Sequence, residues 1–169
     1  MAAIDDILVE RAQAYAHRLR LGLGRRLGSG NHGIVFEAES QAGSGESALK
    51  IHKEASAYGR ERDAYRRLAE HHVTEINRFK VPQMLGCDDD LLVIEMTIVT
   101  RPFLLDFAGA YLDKPPEFPD EVWQTWEEEK REQFGDRWPL VEGVLQALKL
   151  YGVHMLDVSP TNIAFLDHE

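Results

Sequence analysis

Apolar residues recur at Ile4, Ile7, Leu8, Ala12, Tyr15 and Leu19, the spacing of one face of an amphipathic helix, and Asp5 and Asp6 fall at the positive end of its dipole. Such a helix is expected to pack on the unit that follows it, with a partner-binding role as the alternative. From Leu21 to His52 the period changes. Gly22, Gly24, Gly28, Gly30 and Gly33 punctuate short runs, and residues 33–38 and 47–51 are rich in β-branched and apolar side chains. Three strands are predicted there, with 41–46 as the turn between the last two. Helical period returns over 56–71, where Ala57, Ala64, Tyr65 and Leu68 share one side. Residues 84–86 and 91–96, parted by Cys87 and three aspartates, predict a hairpin.

Beyond the hairpin the pattern predicts a helical chain with breaks. Residues 114–119 hold three prolines and form a rigid loop, after which Asp120 is placed to cap a helix through Trp123 and Trp126 toward Phe134. Glu127, Glu128 and Glu129 read as a solvated face. Pro139 opens a second helix with Leu140, Val141, Val144, Leu145 and Leu148 at core spacing, and Gly152 stops it. No repeat or low-complexity tract interrupts this order.

Composition narrows the classes. The chain has 169 residues, 44% hydrophobic and 28% charged, which is the makeup of a folded domain and not of a disordered one. Its one cysteine, Cys87, excludes an internal disulfide and a thiolate zinc site. There is no apolar run of about 20 residues, and Asp5, Asp6 and Glu10 stand where a signal peptide would be basic, so a cytoplasmic protein with no membrane partner is expected. A net charge of −10 argues against nucleic-acid binding, which needs a basic surface. The stripe Arg60, Arg62, Arg66 and Arg67 reads as a solvated helix face paired with Glu61, Asp63 and Glu70.

Candidate chemistry begins at Gly28-Ser29-Gly30-Asn31-His32-Gly33, a G-x-G-x-x-G run. In a dinucleotide-binding unit such glycines open a helix, whereas here the strand formers Ile34, Val35 and Phe36 follow, so the glycines sit in a hairpin. A turn that binds nothing uses the same residues. Fifteen positions after Val35, the run Ala48-Leu49-Lys50-Ile51 places a lysine in a strand. A buried ammonium needs a carboxylate, for which Glu61 on the following helix is the first candidate and Glu70 its rival. Near the end of the chain, Asp157 and Asn162 stand five apart, with Pro160 and Ile163 between and beside them. Asp and Asn also serve turns by capping backbone amides.

Taken in order, these motifs resemble the protein-kinase-like superfamily over roughly residues 23–165. Val35 completes G-x-G-x-x-G-x-V, Ala48-Leu49-Lys50 resembles A-I-K, and residues 152–165 resemble the catalytic loop H-R-D-x-x-x-x-N. The resemblance implies an α+β protein-kinase-like fold: a helix over 1–20, a β-sheet N-lobe with one helix over 21–100, and a shortened helical C-lobe over 101–169. It implies that ATP binds with Gly28, Ser29, Gly30, Gly33, Val35 and Ala48 around the nucleotide, Lys50 on its phosphates and Glu61 on Lys50. Glu95 and Thr97 would belong to a hinge whose backbone reads adenine, beside Ile94. Asp157 would serve the acceptor hydroxyl as base, and Asn162 would hold Mg²⁺.

Several positions depart from that pattern. Met155-Leu156 replaces His-Arg, Ser159 stands where a phosphate-neutralising lysine is usual, and no D-F-G follows. Asp167, five residues past Asn162, is the sole later aspartate and a poor substitute as second metal ligand. Two functions are therefore expected from the resemblance: an ATP-dependent transfer of the γ-phosphate to a hydroxyl acceptor, or a pseudokinase scaffold that binds nucleotide or a protein partner without catalysis. A third is an enzyme completed by a second chain.

Overall fold

The computed structural model describes residues 3–167. Helix α1 (Ile4–Leu19) opens with the Asp6 carboxylate accepting the Ala3 N–H at 3.2 Å, and it ends on Arg20 in the left-handed conformation, φ 56°. Strands β1 (Leu21–Ser29), β2 (Gly33–Ser40) and β3 (Glu46–His52) follow, then helix α2 (Ala55–Glu70). Short strands β4 (Glu75–Ile76) and β5 (Phe79–Lys80) lead to the hairpin β6 (Met84–Asp88) and β7 (Val93–Met96), and to β8 (Phe103–Leu104) and β9 (Tyr111–Leu112). Helix α3 (Asp120–Phe134), a 3-10 turn, helix α4 (Trp138–Leu150) and strands β10 (Val153–His154) and β11 (Ile163–Ala164) complete the described chain. The fold is α+β with an antiparallel sheet. Two compact units divide it: the first runs to Arg62 and takes in Pro82–Ile98, and the second holds Asp63–Val81 and the chain from Val99 onward, so the division cuts α2.

In the first unit the sheet order is β1-β2-β3-β7-β6, antiparallel throughout. Strand β3 is central, and it is buried from Ser47 to His52 without the alternation of a one-sided strand. Helix α1 covers the sheet with Leu8, Ala12, Tyr15 and Ala16, which join Ile34, Ala38, Leu49, Ile51 and Val93 in one core. The expected stripe is corrected here. Ile4 and Leu19 are 63% and 48% exposed and Ile7 40%, because the covered face is narrower than the apolar spacing, while Ala16 is buried instead. A Leu or Ile fully buried contributes about 1.5–3 kcal/mol, so Leu8, at 1% exposure, anchors α1 far more than Ile4 does.

In the second unit, α4 buries Val141, Val144, Leu145 and Leu148 but leaves Leu140 exposed, and Gly152 closes it at φ 73°. Residues 97–113, expected to be helical with breaks, hold β8 and β9 and no helix. Asp106 and Asp113 adopt left-handed backbone there, at φ 71° and 67°, which a helix does not accommodate. Small sheets β11-β8-β5-β4 and β10-β9 result, none of which strand-length patterning predicts. Asp120 is not a cap. Pro119 precedes the helix without a side-chain bond, and Asp120 lies in the first turn, where its charge complements the dipole.

Candidate functional site

The glycine run forms the bend between β1 and β2, with Gly28 opposite Val35 and Ser29 opposite Ile34. Gly30 donates its N–H to the Gly33 carbonyl at 2.9 Å, and Lys53 Nζ donates to the Gly30 carbonyl at 3.0 Å. The glycines differ in what requires them. A Cβ at Gly33 would lie 1.9 Å from the Ile51 carbonyl oxygen, so the packing of β2 on β3 demands glycine. A Cβ at Gly28 or Gly30 would meet no atom within 4 Å, and neither has a positive φ. Internal packing therefore gives no reason for these two.

Register places Val35 opposite Lys50, and Lys50 opposite Ile94 on β7, while Ala48 is buried beside them opposite Met96. Lys50 Nζ lies 2.7 Å from Glu61 Oε2, with side-chain exposures of 8% and 0%. Glu61 stands on the stripe of α2 that also carries Ala57, Ala64, Tyr65 and Leu68, so the helix phase that buries those side chains buries the carboxylate as well. Burial pushes the Glu61 carboxyl up, but Lys50 and His52 outweigh it and hold the group down at about 2. Glu70, the rival partner, is exposed. In the basic stripe Arg66 lies 3.9 Å from Asp63, as expected, while Arg62 pairs with Asp89 at 2.9 Å and Arg67 with Asp113 at 2.8 Å.

His52 was not singled out by sequence reasoning. Its Nε2 lies 2.6 Å from the same Glu61 oxygen, and the residue is wholly buried. A signal existed: residues 50 and 52 of one strand point to the same face, so a partner for Lys50 lies within reach of His52.

Glu95 and Thr97 are engaged within the sheet. The Glu95 carboxylate accepts Ser47 Oγ at 2.8 Å and Tyr15 Oη at 3.1 Å, and burial followed by Glu95 pushes the Tyr15 hydroxyl well above its ordinary range. Thr97 donates its backbone N–H to the Gln83 carbonyl at 2.9 Å, and its hydroxyl accepts the Gln83 N–H at 2.9 Å. The Thr97 N–H is thus committed to Gln83 where a hinge would offer it to adenine.

In the second unit, Asp157 and Asn162 lie on the loop between β10 and β11. Asn162 is 8% exposed and its Nδ2 donates to the Asp157 carbonyl at 2.9 Å, while the Asn162 and Ile163 N–H groups both reach the Ser159 carbonyl. These bonds tie the two motif residues together through the backbone of one and the side chain of the other. Gly109 packs against this loop, where a Cβ would lie 3.2 Å from Asp157 Cβ. Asp167 is paired with Arg101. Among the described residues no three His, Cys, Asp or Glu side chains gather as a metal site, and no helix is long and apolar enough to cross a membrane.

No family model and no solved structure matches the chain. It is 27% identical over 150 residues to the serine/threonine-protein kinase DCLK1 of Rattus norvegicus, a likeness covering 89% of this chain and 31% of that protein. The chain thus spans about a third of the length of the curated relative it matches.

Proposed function

We propose that this chain is a kinase-like protein that binds ATP through its first unit and transfers the γ-phosphoryl group to a hydroxyl acceptor. The buried Lys50–Glu61 pair carries the reading. Burying an ion pair in place of apolar side chains is neutral or costly for folding, so a lysine kept in the central strand opposite Val35 is accounted for by a polyanionic ligand better than by stability. Gly28 and Gly30, required by neither packing nor backbone angle, let main-chain amides approach phosphates. The order of the antiparallel sheet and the helix bearing Glu61 agree with the fold the kinase resemblance implies, and so does the likeness to a serine/threonine-protein kinase. In the second unit, Asp157 would accept the proton of the acceptor hydroxyl, and its backbone bond to Asn162 orders the loop.

Magnesium does not fit as a resident ion. Asn162, whose Nδ2 is given to Asp157, could bring only its amide oxygen to a cation, Asp167 is held by Arg101, and among the described residues no three His, Cys, Asp or Glu side chains gather to supplement them. Mg²⁺ would enter as part of the nucleotide, whose oxygens supply most of its ligands. The Arg101–Asp167 pair favours the second reading, a scaffold that binds nucleotide without transfer.

Thermal unfolding with ATP, with and without Mg²⁺, tests both. A hundredfold excess over Kd stabilises by about 2.7 kcal/mol, read as a rise of several degrees in Tm. No rise at millimolar ATP overturns both readings. Where a rise is present, phosphoryl transfer by the wild type but not by Asp157→Asn supports the enzyme, and binding without transfer supports the scaffold.

A further inference from the structure

Glu61 Oε2 faces two nitrogens, Lys50 Nζ at 2.7 Å and His52 Nε2 at 2.6 Å. A carboxylate only accepts, so the imidazole nitrogen that faces it carries the proton. The opposite tautomer would set lone pair against lone pair at 2.6 Å between two wholly buried side chains. The other ring nitrogen, Nδ1, lies 3.2 Å from the Leu92 carbonyl, which is also an acceptor, so the one proton of a neutral ring goes to the shorter, charge-assisted contact with Glu61. The Leu92 carbonyl accepts the His52 backbone N–H at 2.9 Å, and the Tyr58 ring meets the imidazole edge-on with centroids 5.5 Å apart. Arg11 Nη1 donates to the His52 carbonyl at 3.2 Å.

We propose that His52 is a positioning residue of the site: its Nε2–H holds the Glu61 carboxylate against Lys50, the two nitrogens meeting the same oxygen. A carboxylate fixed there keeps Lys50 in place for an anion such as a nucleotide phosphate. The ligand part of this inference rests on the ATP-binding reading, whereas the hydrogen bond does not.

The test begins with NMR of the full chain labelled with ¹⁵N-histidine. The expected result is a protonated Nε2 at His52 whose resonance moves in Glu61→Gln. An unprotonated Nε2 overturns the proposal and needs no variant to be observed. ATP titration then reads the consequence. His52→Gln, which restores an N–H at the same reach, is expected to bind within about threefold of wild type, and His52→Leu to bind at least about tenfold more weakly, with unchanged far-ultraviolet circular dichroism. Equal binding by His52→Leu and wild type overturns the positioning role. A wild type that binds no ATP overturns the nucleotide reading and the ligand part with it, and the histidine resonance still decides the hydrogen bond.

Discussion

Lys50 on the central strand β3 and Glu61 on helix α2 meet at 2.7 Å with almost no solvent around either charge. Removing one member of a buried pair leaves the other uncompensated, at a cost of about 3–5 kcal/mol, while removing both with apolar residues costs much less. Lys50→Met and Glu61→Leu are each expected to lower the urea midpoint strongly, and Lys50→Met/Glu61→Leu to lose less than the two singles together. A double-mutant cycle checks this, and strict additivity would contradict the pair.

The same carboxylate sets an acid limit. Its folded-state value lies near 2, below its ordinary 4.5, through Lys50 and His52 acting against burial. A depressed carboxyl stabilises the fold above its unfolded value and loses that stabilisation as pH falls toward the folded one. Unfolding free energy is therefore expected to drop between about pH 4.5 and 2. Denaturant titrations across this window check it: the Glu61→Gln profile should be flatter than wild type, and profiles of equal slope would count against it.

The glycines separate by role. Gly33→Ala drives a Cβ to 1.9 Å from the Ile51 carbonyl, and overpacking of this kind costs about 1–3 kcal/mol or more. Gly28→Ala and Gly30→Ala enter open space at ordinary backbone angles and are expected to leave stability within about 0.5 kcal/mol. Under the ATP-binding reading these two weaken nucleotide binding all the same. Calorimetric Tm together with ATP titration tells the two kinds of glycine apart.

These contrasts show what the sequence makes legible. Helix α1, the three strands through His52, α2 and the hairpin of β6 and β7 follow from periods of 3.6 and 2 that run long enough to read. Glu61 was legible as a partner of Lys50 because one helical stripe carries it with Ala57, Ala64 and Leu68. The two-residue strands β4, β5 and β8 to β11 are too short to show a period, and they arise from pairings distant in sequence, such as Ile163 with Leu104. Thr97 shows a further limit: a hinge motif names residues, but whether an N–H is already committed to Gln83 depends on strand register. His52 escaped because a lone histidine in an apolar strand is read as core until its carboxylate neighbour is known.

Asp157 and Asn162 lend themselves to a test that separates chemistry from folding. The structural bond runs from Asn162 Nδ2 to the Asp157 backbone carbonyl, which Asp157→Asn retains. Asn162→Ala removes the donor and leaves that carbonyl short of a partner, at a cost of about 1–3 kcal/mol if no water replaces it. Asp157→Asn, which keeps this bond, is therefore expected to lose less stability than Asn162→Ala. Gly109→Ala, whose added methyl presses to 3.2 Å from Asp157 Cβ, should fall between them. If Asp157→Asn proves as destabilising as Asn162→Ala, the Asp157 carboxylate is itself a structural anchor, and a loss of transfer in that variant would no longer identify it as the base.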